Sequence, residues 1–138
     1  DEYKQTLIRF AEENGLSSSV EIHGKTSEVE KVMKSHDLVL NLSDSESFSR
    51  LTLEALFYGV PVIATNVGGT NEMVIEGRTG LLAKPFDVED MYVAFKKMIS
   101  NDSLRVQMSE EGYRFVREEF SNEKTVTRLI KVYKSVNA

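Results

Sequence analysis

The chain has no cysteine, so disulfide bonds, thiol catalysis and thiolate metal sites are excluded. It also lacks long apolar runs, because its apolar stretches are a few residues long and a bilayer span needs about 20. The absence of cysteine fits a reducing compartment. We therefore expect a cytoplasmic protein that touches a membrane at most peripherally, at its inner face.

An excess of positive charge is missing as well. The 17 Lys and Arg residues stand against 22 Asp and Glu residues, which gives a net charge of -5. Such a chain has no general cationic field that would draw nucleic acid. We expect no nucleic-acid partner.

The 138 residues present, of which 41% are apolar, are enough for one domain with a core, over residues 1–138. Helical and strand patterns alternate along the first two thirds of the chain. The strand patterns are SVEIHG, DLVLNLS, PVIATN and TGLLAK. Four strands separated by helices predict parallel pairing with right-handed crossovers, so the expected fold class is α/β, a doubly wound, Rossmann-like parallel sheet with flanking helices.

Helical patterns fill the remaining segments and the whole C-terminal third. One of them, SEVEKVMKSH, is expected to be capped by Ser27. The last helix carries an apolar stripe beside basic residues, which is typical of an amphipathic helix on its own domain. We also consider that the stripe is partly uncovered and drives self-association or packs against further protein. The stripe consists of Val126, Leu129, Ile130 and Tyr133.

Polar and glycine-bearing loops follow the first three predicted strands, over residues 24–27, 43–49 and 66–70. Open parallel sheets bind ligands outside the carboxyl ends of their strands. These loops are therefore expected to form one ligand-binding edge.

The stretch SDSESFSRLTLEAL places two glutamates, Glu46 and Glu54, around the start of a helix. The helix should begin near Ser47 or Ser49, where its free N–H groups could bind a phosphate without a metal. Carboxylates accept hydrogen bonds from sugar hydroxyls. Two of them flanking a phosphate cradle indicate a nucleotide-sugar site.

The run ESFSRLTLEALFYGVPVIATNVGGTNEMVIEGRTGLLAKP resembles the core motif of the retaining GT-B glycosyltransferases of group 1. That family includes bacterial sugar transferases acting on lipopolysaccharide, glycolipids and capsule, and its signature is an E-x7-E pair followed by a G-x-P-V-I-A strand and a G-G loop. The resemblance implies a C-terminal, donor-binding half of a GT-B fold. It also implies transfer of a sugar from a UDP-, GDP- or ADP-sugar, with retained configuration and without a metal or other cofactor.

The resemblance also implies roles for individual residues. Glu46 would contact the donor sugar hydroxyls as the catalytic carboxylate, and Glu54 would hold the ribose. The backbone of a five-residue segment directly after Glu46 would hold the diphosphate, a second segment would contact the base, and a third would form the wall of the sugar pocket. These segments are Ser47, Phe48, Ser49, Arg50 and Leu51 for the first, His23, Gly24 and Lys25 for the second, and Val67, Gly68 and Gly69 for the third.

The sequence departs from the family pattern in two respects. Ser47 and Ser49 stand where glycine is common, and either serine could cap the helix, bond a phosphate oxygen or narrow the pocket. Two strands, a basic Arg and Lys pair and the acceptor-binding N-terminal half of the family are also absent. We therefore expect a truncated transferase, a donor-binding part that is inactive alone.

Several alternatives remain open at this point. The two glutamates could be solvated surface acids, and Asp44 with Glu46 could form a metal site of the D-x-D kind. Gly68 and Gly69 could form a plain tight turn. Arg50 or Lys25 could pair with phosphate or point to water. The whole domain could be a nucleotide-sugar epimerase or a catalytically silent nucleotide-binding module.

Overall fold

The computed structural model describes residues 2–136 as an α/β domain. Its helices are α1 (Glu2–Glu13), α2 (Val29–Lys34), α3 (Arg50–Phe57), α4 (Thr70–Met73), α5 (Val88–Ile99), α6 (Asp102–Glu119) and α7 (Asn122–Val136). Its strands are β1 (Val39–Asn41), β2 (Val62–Thr65) and β3 (Gly80–Ala83). Strand and helix alternate from α2 to β3, and the C-terminal third is helical, as the sequence patterns predicted.

The three strands form one parallel sheet in the order β1-β2-β3. Val39 of β1 lies opposite Val62 of β2, and Val62 lies opposite Gly80 of β3. Helices connect the strands as crossovers, so the predicted α/β class with a parallel sheet and flanking helices is confirmed.

Side chains of β2 pack into two hydrophobic cores, one on each face of the sheet. Val62 and Ala64 pack with α3 and the end of α6, whereas Ile63 packs with α5 and the start of α6. Successive strand residues point to opposite faces, and all four residues of β2 are buried. The central strand is therefore covered on both sides, as expected for a parallel sheet.

The predicted strand SVEIHG is wrong, because residues 20–24 form an irregular segment. Val20 is 44% exposed, and within residues 2–136 the outer edge of β1 has no paired strand. A strand needs a neighbour to satisfy its backbone groups, and here none lies alongside this segment. The predicted Ser27 cap is also wrong, since α2 begins after Glu28 without a side-chain cap bond.

The terminal helices lie at the periphery of the domain. Only Ala11 is buried in α1, and no residue of α7 is buried. The side chain and backbone carbonyl of Glu119 hold α7 through Arg128, and the side chain also binds Lys124. Association through the apolar stripe of α7 therefore stays a prediction. No helix between residues 2 and 136 is long and apolar enough to cross a bilayer.

Candidate functional site

Three loops meet at the carboxyl edge of the sheet. They follow β1, β2 and β3 and cover residues 42–49, 66–69 and 84–87. The backbone N–H of Asn66 donates to the carbonyl of Ala83 across 2.8 Å, which ties the ends of β2 and β3 together. The edge that the loop chemistry singled out is therefore a continuous surface in the structure.

The glycine loop after β2 lies directly on the backbone of the loop after β1. The N–H of Gly69 donates to the carbonyl of Glu46 across 3.3 Å. A Cβ on Gly68 would stand 1.6 Å from the Glu46 carbonyl oxygen, and one on Gly69 would stand 2.4 Å from that of Ser47. Gly68 also has a φ of +50°, which L side chains rarely adopt. Close approach therefore excludes a side chain at both positions, and the positive φ is a second constraint at Gly68 alone.

The helix α3 begins at the same place, directly after a serine cap. The Oγ of Ser49 accepts from the N–H of Thr52 across 3.2 Å, and Ser49 is 2% exposed. Its hydroxyl is therefore a helix cap inside the protein and does not face a ligand. The backbone N–H groups of Arg50 and Leu51, the first two of the helix, have no acceptor within the helix and can donate hydrogen bonds to an anion. Ser47 is exposed in the preceding loop.

The two glutamates differ in their partners. The carboxylate of Glu54 pairs with the guanidinium of Arg50 one turn earlier, at 3.1 Å, and the Glu54 side chain is 34% exposed. In the described chain no hydrogen bond or ion pair engages the carboxylate of Glu46, which is half-buried. The Glu46 carboxylate is therefore available to accept a hydrogen bond from a ligand hydroxyl. The Arg50 guanidinium is paired with the Glu54 carboxylate when no ligand is bound.

Two aromatic side chains fasten the loop after β1 to the C-terminal end of α6. The rings of Phe48 and Phe120 lie 6.1 Å apart, and Phe120 stacks edge-on against Phe115 at 5.9 Å. Phe120 also borders a cavity of about 340 Å³ next to Glu54. Sequence reasoning missed Phe120, because no local pattern connects residues so far apart in the chain.

Leu51 sends its side chain away from this loop. It is 43% exposed and lines an apolar groove with Val29, Val32 and Leu38. Only its backbone therefore belongs to the edge.

The segment predicted to contact a base is exposed and is not a strand of the sheet. His23, Gly24 and Lys25 are exposed, and the Nε2 of His23 pairs with Glu21 at 2.9 Å. The neighbouring Thr26 lines a groove together with Leu40 of β1 and Leu51. In the described part of the chain no hydrogen bond or ion pair links His23, Gly24 or Lys25 to the loops after β1 or β2, so their contact with a base stays a prediction.

Asp44 and Glu46 are the two acids near this edge that a D-x-D type metal site would use. Residues 2–136 contain no group of three or more His, Asp or Glu side chains placed to hold a metal ion. The expectation of a metal-free site stays a prediction.

The fold and the composition of this edge together indicate a class of protein domain. A parallel α/β sheet with a capped helix, a glycine loop and the unpaired carboxylate of Glu46 at its carboxyl edge is typical of a ligand-binding doubly wound domain. Residues 1–115 match the family model described as Glycosyl transferases group 1, and the chain belongs to that family.

Curated relatives and solved structures are similar to this chain over nearly its whole length. An uncharacterized glycosyltransferase from Methanocaldococcus jannaschii is 36% identical over 98% of the chain and 38% of its own length. N-acetyl-alpha-D-glucosaminyl L-malate synthase from Bacillus anthracis is 31% identical over 95% of the chain and 34% of its own length. The crystal structure of HepE from Anabaena in complex with UDP-glucose has a TM-score of 0.87 and 23% identity, covering 97% of the chain and 37% of HepE. The chain thus spans slightly more than a third of the length of these proteins.

Proposed function

We propose that this chain is the donor-binding part of a retaining glycosyltransferase, which transfers a sugar from a nucleoside diphosphate to a glycan or lipid-linked acceptor. The observation that carries the proposal is the contact of the Gly68 and Gly69 backbone with Glu46 and Ser47, directly ahead of the capped start of α3. This contact encloses a backbone-lined cradle between two carboxylates.

Each part of the cradle suits one part of the donor. The N–H groups of Arg50 and Leu51 bind diphosphate oxygens, since a helix N-terminus favours negative charge. The unpaired Glu46 carboxylate accepts hydrogen bonds from the sugar, and Glu54 accepts them from the ribose diol. The loop Val67–Gly69 forms the wall of the sugar pocket.

The ion pair of Arg50 and Glu54 gives the site two states. Without ligand the two charges satisfy each other at 3.1 Å. When a ribose takes the Glu54 oxygens, the guanidinium of Arg50, whose side chain is 84% exposed, is free to turn to a phosphate. Arg50 then adds a positive charge to a cradle that otherwise consists of backbone dipoles.

The chemistry at this site is departure of the nucleoside diphosphate. The bond between the anomeric carbon and the diphosphate oxygen breaks, and the acceptor oxygen bonds to the anomeric carbon on the same face of the sugar while its proton passes to the departing diphosphate oxygen. Donors aimed at the diphosphate stabilise the charge that develops on it, which is the main catalytic device of the proposal. The proposal uses no metal, because the helix start and Arg50 supply the positive potential. The solved complex of HepE with UDP-glucose supports a donor of this type. In this proposal, residues outside the cradle contact the base and the acceptor.

Calorimetric titration of the chain with UDP, GDP and ADP tests the proposal. We expect at least one of them to bind, and Glu54→Ala to weaken binding at least tenfold, since two hydrogen bonds to the ribose are lost. Glu110→Ala removes an exposed acid from α6 and is the matched control. Titration with and without magnesium tests the metal-free mechanism.

The same titrations on a longer chain separate transfer from binding alone. A donor-binding part of a transferase is expected to gain affinity when preceding protein is restored, and then to release free sugar or to glycosylate an acceptor. Nucleotide binding by both chains with no turnover of any donor would identify a silent module. No binding by either chain, with Glu54→Ala indistinguishable from wild type, would remove the donor site altogether.

A further inference from the structure

Asn41, the last residue of β1, carries a buried carboxamide that is 4% exposed. Its Nδ2 donates to the Oγ of Ser49 across 2.8 Å and to the Oγ1 of Thr52 across 3.1 Å. Its Oδ1 accepts from the Oγ of Ser43 across 2.9 Å. The carboxamide therefore uses both donor hydrogens and one acceptor lone pair on partners from the loop after β1 and the start of α3.

These partners sit at the two ends of the loop. Ser43 opens it, and Ser49 closes it as the cap of α3. A second strand joins the network, because the buried hydroxyl of Thr65 in β2 donates to the backbone carbonyl of Ser43. The loop that carries Glu46 is thus fastened to the sheet at both ends from inside the protein.

An apolar side chain at this position would remove the hydrogen bonds that the buried hydroxyls of Ser49 and Thr52 accept from Asn41, which lowers stability. An apolar side chain cannot hold Ser43 and Ser49 at a fixed separation. An aspartate has the right shape but offers only acceptors at neutral pH. The particular gain from asparagine is therefore the fixed geometry of the loop.

We propose that Asn41 is a positioning residue of the donor site. It holds the loop after β1 so that the Glu46 carboxylate and the N–H groups of Arg50 and Leu51 face one ligand together. This inference rests on the proposed function for its ligand, while the fastening of the loop is a property of the protein alone. A binding site whose geometry must hold to within about half an ångström needs hydrogen bonds of this kind to the residues that contact the ligand.

Hydrogen exchange tests the fastening without any ligand. In Asn41→Leu, the amides of Thr52 and Gly69, which bond to Ser49 Oγ and to the Glu46 carbonyl, should exchange about tenfold faster relative to Val62 in β2. Ser109→Ala removes a hydrogen bond to Gly59 at the opposite edge of the sheet and is the control for a general loss of stability. Unchanged relative exchange in Asn41→Leu would overturn the inference.

Titration tests the consequence for the ligand. We expect Asn41→Leu to weaken whichever of UDP, GDP or ADP binds wild type about tenfold, while its effect on the matching nucleoside stays within twofold. A general loss of stability would not change the ratio of these two affinities in folded protein, and Ser109→Ala should leave it unchanged. If Asn41→Leu does not fold, Asn41→Asp at pH 7 replaces it, because it keeps the shape and removes the two donors.

The possible results separate the two proposals. Wild-type affinity for the diphosphate in a folded Asn41 variant overturns the positioning role and leaves the donor site standing. Wild type that binds no nucleoside diphosphate overturns the donor site, and the exchange experiment still decides whether Asn41 fastens the loop.

Discussion

Substitution of Gly68 by alanine probes the contact between the two loops directly. The new Cβ would lie 1.6 Å from the carbonyl oxygen of Glu46. Since such contacts are essentially never shorter than 3.0 Å, one loop must move by at least about 1.4 Å. That movement breaks the hydrogen bond from Gly69 N–H to Glu46.

Gly77→Ala separates this clash from backbone strain. Gly77 has a φ of +74° and no atom within 4 Å of the position that a new methyl group would take, whereas Gly68 has a φ of +50° and the clash. Alanine in the left-handed region costs about 1 kcal/mol at both positions. The lost hydrogen bond and displaced loop add about 2 kcal/mol at Gly68 alone.

Urea unfolding followed by circular dichroism measures the difference. We expect Gly77→Ala to lower the free energy of unfolding by about 1 kcal/mol and Gly68→Ala by about 3 kcal/mol. For a chain of this size the difference corresponds to about 8 °C in Tm. Gly68→Ala should also weaken nucleotide binding, and Gly77→Ala should not. Equal losses in the two variants would show that the loops are not held in close contact, which would refute the geometry of the cradle.

Three further predictions concern the surroundings of the site. Ser49→Ala removes the α3 cap and leaves a buried amide donor unpaired, so unfolding in urea should show a loss of about 2 kcal/mol, and a loss below about 0.5 kcal/mol would contradict the network. Thr70→Val replaces a hydroxyl that is buried without a hydrogen-bond partner within residues 2–136, so we expect a gain of about 1 kcal/mol, and a loss would reveal a partner such as a bound water. Lys124 above all, together with Arg128, holds the pKa of Glu119 below its ordinary 4.5. The pairs that hold α7 should therefore stabilise the protein above about pH 4.5 and fail as the pH falls through the lower folded pKa, which carboxyl NMR titration can follow with Glu119→Gln as the control.

Local patterns predicted most of the elements of this fold. The pattern PVIATN predicted the strand that the structure shows as β2, and Ser49 was one of two predicted helix starts. Two of the three predicted polar loops, those after β1 and β2, lie at one edge of the sheet, whereas residues 24–27 do not follow a strand. These features depend on residues within a few positions of one another, so local sequence patterns are enough to predict them.

Features that depend on distant residues were not predicted. SVEIHG alternates like a strand, but pairing needs a neighbour that no local pattern reveals. Asn41 lies in a segment that reads as apolar, and its role emerges only when Ser43 and Ser49 fold back onto it. The contact of Phe48 with Phe120 joins residues that are far apart in the chain.

The central claim is that the carboxyl edge of the sheet binds a nucleoside diphosphate sugar. Its most direct test is amide chemical-shift mapping of the isotope-labelled chain during addition of UDP, GDP, ADP and UDP-glucose. The account predicts the largest shift changes at Arg50, Leu51, Gly68 and Gly69, and their loss in Glu54→Ala. Saturable changes confined to another surface, such as the apolar groove between α2 and β1, or no changes with any of the four compounds, would contradict it.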